Sequence, residues 1–187
     1  MNELSLHILD ICQNSIKANA TLIKIIITDS TIDNIFKIEI IDNGYGMDEK
    51  TLSEAANPFF TTRTTRKVGL GISLFKMAAE MTGGNLKVTS TLRKGTKITA
   101  IFQKDHIDRA PLGDIEDTLS ILILNENMID IYYKHVVHQN VYIFDTREVK
   151  KILNNIPFID YNIIMWIKNN IKEGILNIYK EETPWNL

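Results

Sequence analysis

Apolar positions recur at two different periods along this chain, and the change from one to the other marks out its elements. Between residues 2 and 19, Leu4, Ile8, Ile11, Cys12 and Ile16 fall on one face of a predicted helix. Leu22 to Thr28 is rich in isoleucine, and Ile35 to Ile41 alternates apolar with polar, so both read as strands. A short helix is predicted from Asp48 to Ala56, ending before Pro58. A second long helix opens after Val68-Gly69-Leu70-Gly71, runs from Ile72 to Met81 and stops at Gly83-Gly84. Leu86 to Leu92 and Lys97 to Phe102 read as strands joined by a tight turn at Arg93-Lys94-Gly95-Thr96.

Residues 105–114 break the pattern, with Pro111 and Gly113 marking a boundary. Beyond it, Thr118 to Leu124, Met128 to Val137 and Val141 to Phe144 read as strands. Residues 146–154 and 160–172 read as helices separated by Pro157. The simplest architecture is α+β, a two-layer sandwich with helices on one face of a mixed, mostly antiparallel sheet. Residues 1–104 are expected to form one domain, and 105–187 a C-terminal α/β extension large enough to fold onto its sheet.

Composition narrows the class. Of 187 residues, 44% are hydrophobic and 24% charged, enough to bury a core. The net charge of −2 gives no overall field favouring nucleic acid or anionic membrane. Cys12 is the single cysteine, which excludes an internal disulfide and suits a reducing compartment. The first thirty residues lack the basic start and apolar run of a signal peptide, and no apolar stretch approaches a membrane span. A cytoplasmic protein is the expectation.

The candidate chemistry gathers on the first 100 residues. On the first helix Asp10, Asn14 and Lys17 stack along one side, four and three residues apart. Such triplets are usually a solvated face, but this composition also suits a metal-bound triphosphate. An amide oxygen suits Mg²⁺, a lysine suits phosphate, and a carboxylate can order a nucleophile. Asp42-Asn43-Gly44-Tyr45-Gly46-Met47 closes the second strand. Asp42 there could accept from an exocyclic amine such as that of adenine, while Gly44 and Gly46 would let the backbone approach a flat ring. An ordinary turn accounts for Asp-Asn-Gly equally well.

Asn57 to Lys67 is hydroxyl-rich and basic, either a surface loop or a lid whose cations close over phosphates while Phe59 and Phe60 anchor its base. The glycines that follow open straight into a helix, where free N–H groups and the helix dipole favour an anion. Two histidines, His135 and His138, lie three apart on a predicted strand and would face opposite sides, a poor metal pair.

Together these motifs resemble the GHKL, or Bergerat-fold, ATPases, a superfamily of gyrase, heat-shock chaperone, histidine-kinase and mismatch-repair ATPase domains. Residues 10–18 look like the N box, 42–47 like the G1 box, 57–62 like the F box, 68–71 like the G2 box, and Gly95-Thr96 like the final glycine-threonine. The likeness covers about residues 3–103 and is strongest to histidine-kinase catalytic domains. The runs at 108–113 and 144–148 look like those of stand-alone ATPases found beside iron-only hydrogenase systems.

The resemblance implies ATP and Mg²⁺ as cofactors, with Asn14 ligating Mg²⁺, Asp42 binding the adenine amine and Lys17 touching phosphate. It implies further nucleotide contacts from Gly44, Gly46, Met47, Phe59, Thr62, Arg63, Arg66, Lys67, Val68, Gly69, Leu70, Gly71 and Thr96. Lys67 stands where the kinases usually have glycine, and Asp10 stands where hydrolysing members often carry glutamate. With its shorter arm, Asp10 is the candidate catalytic base and favours transfer to a partner's hydroxyl or imidazole over hydrolysis. Only six residues precede His7, which sits inside the N-box helix, so no dimerisation helix with a phosphoacceptor histidine is expected. A stand-alone kinase acting on a protein partner follows as the expected function, with an ATP-operated switch or a slow ATPase without phosphotransfer as the alternative. ATP or ADP and a protein are the expected partners, a homo-oligomer being possible and nucleic acid and membrane not.

Overall fold

A computed structural model describes residues 3–55, 70–124, 129–153 and 160–180. Twelve elements are present among the described residues: α1 (Leu4–Lys17), β1 (Leu22–Ser30), β2 (Ile35–Asp42), α2 (Glu49–Ala55), α3 (Gly71–Glu80), β3 (Asn85–Thr91), β4 (Gly95–Gln103), α4 (Ile115–Ile123), β5 (Asp130–Val137), β6 (Asn140–Asp145), α5 (Thr146–Leu153) and α6 (Tyr161–Lys180).

The six strands form one sheet in the order β3-β4-β2-β1-β5-β6. Every neighbouring pair is antiparallel except β1 with β5, so the sheet is mixed as expected. The β1–β5 pairing carries the sheet across residue 105, and the strands on both sides of it share one core cluster.

The period-2 pattern decides which face is covered. On β1, Ile23, Ile25 and Ile27 are buried while Lys24 is exposed. Register carries the buried set across Ile38 and Ile40 of β2, Ile98, Ala100 and Phe102 of β4, and Ile131 and Tyr133 of β5. Over that face lie α3, α1, α4 and α6, each touching the next. Fully burying one such aliphatic side chain contributes about 1.5–3 kcal/mol, so this contiguous layer dominates stability. The first turn of α1 is satisfied from the boundary segment: the N–H groups of Leu4 and Ser5 donate to the carbonyls of Pro111 and Leu112 at 2.9 and 2.8 Å.

Two expected elements change. Of residues 118–124, read as a strand, 118–123 belong to the helix α4 and Leu124 is its C-cap. A strand would bury every second residue, whereas Ile115, Thr118, Leu119, Leu122 and Ile123 are all buried at helical spacing. Glu116 and Asp117 in its first turn also suit the positive end of the helix dipole. The last helix, read as ending at 172, continues to Lys180, because Ile171, Ile175 and Ile178 prolong its packed stripe.

Candidate functional site

The site begins with the end of β2. Asp42 stands two residues after the buried Ile40, and its carboxylate is held on both oxygens. Oδ1 accepts from the backbone N–H of Gly44 at 2.9 Å and of Thr96 at 3.2 Å. Oδ2 accepts from the Ser15 hydroxyl at 2.8 Å. Three donors from α1, the loop after β2 and the start of β4 therefore fix one acidic group. Each carboxylate oxygen has two lone pairs, so Oδ2 keeps acceptor capacity beyond Ser15.

Asp42 lines a cavity of about 630 Å³, within the usual range for a small-molecule site. Its apolar walls are Ile11, Met47, Ile72 and Ile98. Asn14 and Lys17 of α1 and Thr96 of β4 add polar groups, and Tyr45 and Gly46 of the loop after β2 and Thr51 of α2 complete the lining. Elements far apart in sequence thus surround one concave space.

Glycines build the floor by admitting protein backbone close behind it. Gly46 has φ +65°, and a Cβ on it would stand 2.1 Å from the carbonyl oxygen of Thr91. Gly95 has φ +105°, and its Cβ would lie 1.9 Å from the carbonyl oxygen of Asp42. No L side chain fits either place. The Tyr45 carbonyl accepts from Arg93 N–H at 2.6 Å, so the β3–β4 turn locks onto the loop after β2. Gly44 is close-packed as well: a Cβ there would meet the Ala18 carbonyl at 2.8 Å.

Ser90, whose side chain sequence reasoning passed over, ties these parts together. Its hydroxyl accepts from Met47 N–H at 2.8 Å, donates to the Gly95 carbonyl and stands 2.9 Å from Thr96 Oγ1. The hairpin register opposing Ser90 to Thr96 was the available signal. Ser15 was the other omission. It lies one position after Asn14 and four after Ile11, which places it on the buried side of α1.

Of the expected site residues, Asn14, Lys17, Asp42, Gly46, Met47 and Thr96 line the cavity. Gly44 supports it through Asp42. Asp10 does not line it but reaches the start of α3, where a Cβ on Gly71 would lie 3.2 Å from Asp10 Cβ and 3.5 Å from Oδ2. Leu70 precedes that helix and is 63% exposed. Phe59, Thr62, Arg63, Arg66, Lys67, Val68 and Gly69 lie outside the described residues. His7 is buried, stacked on Phe75 at 5.1 Å between ring centres, and burial lowers its pKa.

Comparison with known proteins gives this geometry a family. The profile of the histidine kinase-, DNA gyrase B- and HSP90-like ATPases matches residues 2–106. The chain is 30% identical over 95 residues to the sensor histidine kinase YvrG of Bacillus subtilis strain 168, covering 49% of this chain and 16% of that protein. It is 29% identical over 92 residues to sporulation kinase D of the same organism, covering 49% and 18%. The chain therefore spans less than a fifth of the length of these curated relatives. Among solved structures, the Aquifex aeolicus MutL ATPase domain complexed with ADP superposes with a TM-score of 0.51 at 9% identity, over 82% of this chain and 70% of that one, which shows a shared fold. No helix among the described residues is long and apolar enough to cross a membrane. On the match over residues 2–106, this chain belongs to the histidine kinase-, DNA gyrase B- and HSP90-like ATPase family, the GHKL ATPases.

Proposed function

We propose that this protein binds ATP in the cavity beneath α1 and transfers its γ-phosphoryl group to a partner protein. The observation that carries the reading is the Asp42 carboxylate, held by Ser15, Gly44 and Thr96 with acceptor capacity left on Oδ2. An exocyclic amine donates to such a group, whereas the carbonyl of guanine at the same position meets acceptor with acceptor. Ile11, Ile72 and Ile98 supply apolar walls suited to a base. Lys17, exposed on α1, is the cation suited to phosphate.

Mg²⁺ fits the donor set only if the nucleotide supplies most of its oxygens. Among the described residues no group of three His, Cys, Asp or Glu side chains could hold a metal. The Asn14 amide oxygen would be the protein ligand, a pattern common for Mg²⁺ shared with phosphates. When bound, the ion neutralises phosphate charge. Asp10 then takes the proton of the incoming hydroxyl as its oxygen bonds to the γ-phosphorus and the bond to ADP breaks. Residues 105–187, as an extension joined to the ATPase sheet, offer surface for the partner.

A second reading, an ATP-operated switch without transfer, is favoured by the position of Asp10 beside Gly71 rather than in the cavity wall. Two measurements test the pair. Calorimetry should give much tighter binding of ATP than of GTP, and equal affinities would end the assignment of Asp42 to the adenine amine. Labelled ATP incubated in the native cell extract should then move label onto a protein; label retained as ATP favours the switch.

A further inference from the structure

The face of the sheet opposite the helices carries a patterned basic surface. Strand register sets Lys97, Ile41, Lys24 and Tyr132 in one row across β4, β2, β1 and β5. The next row holds Lys87, Glu39, Ile26 and Lys134, and the third holds Lys37, Thr28 and Val136. Ile41, Ile26 and Val136 therefore form a diagonal apolar track, each step one strand across and two residues along, about 8 Å. Lys24 and Lys134 flank it on one side, and Lys97 and Lys37 on the other.

The acids here are already matched. Glu39 takes both Lys97 and Lys37, at 2.7 and 3.1 Å; burial opposes its ionised form, but those two hydrogen bonds outweigh it and its pKa falls. Asp130 pairs with Lys150, and Asp145 with Arg147. Lys24, Lys87 and Lys134 have no ion-pair partner among the described residues. A chain of net charge −2 thus concentrates unneutralised cations on one open face. At its β6 edge Val141 and Ile143 are 46% and 52% exposed and extend the apolar track.

We propose that this face docks an acidic amphipathic helix of a partner protein, its apolar stripe on Ile41, Ile26 and Val136 and its carboxylates on Lys24 and Lys134. Charge complementarity selects an anionic partner. The apolar track beside these cations selects a helix with an apolar stripe, whose diameter of about 10–12 Å covers the track together with Lys24 and Lys134 on the adjacent strands β1 and β5. Tyr132 is the aromatic side chain on these rows, too little for single-stranded nucleic acid, which stacks successive bases on several aromatics. The docking is independent of the nucleotide reading.

The test uses the whole protein and a synthetic peptide of about 18 residues, five helical turns, with leucines on one face and glutamates elsewhere. A lysine-for-glutamate copy, an oligothymidine and phosphatidylglycerol vesicles serve as competitors of other chemistry. NMR titration should perturb amides of β1, β2 and β5. Lys24→Glu with Lys134→Glu should weaken binding at least about tenfold, as should raising salt from about 50 to 300 mM. Lys172→Glu on α6 should change nothing, and ATP affinity should survive in every variant. Lys24→Gln with Lys134→Gln gives the same reading if the reversed pair fails to fold. Absence of saturable binding, shifts confined to the helical layer, an unaffected double variant, or tighter binding of the oligonucleotide or vesicles would overturn the proposal.

Discussion

Ser15 Oγ donates to Asp42 Oδ2 at 2.8 Å, joining the buried side of α1 to the acid at the end of β2. The bond sets which lone pairs of Asp42 face the cavity. Ser15→Ala should reduce ATP affinity by about 1 kcal/mol, the usual net value of one hydrogen bond, and narrow the preference over GTP. Asp42→Asn should cost about 1.5–3 kcal/mol, since it removes the charged acceptor. Calorimetry on both variants and their combination checks this: the double variant should lose less than the sum, because both changes act on one contact.

Asp10→Asn separates chemistry from binding. Asn14, Lys17 and Asp42 remain in that variant, so ATP affinity should hold while transfer falls by roughly 10²–10⁴-fold, the range for a general base. Affinity and turnover on the same preparation decide it. Loss of both in equal proportion would assign Asp10 to binding and leave the switch as the better reading.

Gly46→Ala and Gly95→Ala should each destabilise the fold by more than about 1 kcal/mol. Both positions have positive φ, and in both the added carbon collides with backbone that cannot swing aside. Urea denaturation provides the measurement. Gly83→Ala is the control: its φ is +73°, but its Cβ would meet only the Gln103 side chain, at 3.5 Å, so it should cost less.

Acid should weaken the protein through His135. Tyr179 gives its proton to Asp29 Oδ2 at 2.8 Å, since the carboxylate can only accept, and its oxygen stands 3.3 Å from His135 Nε2. Nε2 therefore carries the imidazole proton, and Nδ1 accepts from Tyr133 at 2.8 Å. Burial holds this neutral ring at a pKa of about 4, against 6.5 when exposed, while Asp29, paired with Lys104, pulls weakly the other way. Between those values the unfolded chain binds more protons, so stability falls as pH drops from about 6.5 to 4, by roughly 3 kcal/mol from this group. His7, also lowered, adds in the same direction. Denaturation midpoints across that range should slope less steeply in His135→Gln, and an unchanged slope would remove His135 as the cause.

Much of the fold and candidate site was legible without coordinates because local pattern and local chemistry coincide there. The period of Leu4, Ile8 and Ile11, the alternation through Ile35 to Ile41, the spacing of Asp10, Asn14 and Lys17, and the run from Asp42 to Met47 each depend on residues a few positions apart. Where the pattern was short and apolar, as at 118–124, period alone could not separate a strand from a buried helix, and packing between α1 and α6 decided for α4.

Tertiary structure alone decided the rest. Ser15 meets Asp42 across 27 positions, Ser90 meets Met47 across 43, and β5 finds β1 across more than 100 residues. What Gly46 and Gly95 accommodate is protein backbone from another hairpin, which the glycines by themselves leave open. Such contacts depend on how strands are ordered in the sheet, and strand order follows from the packing of the whole chain rather than from any window of it.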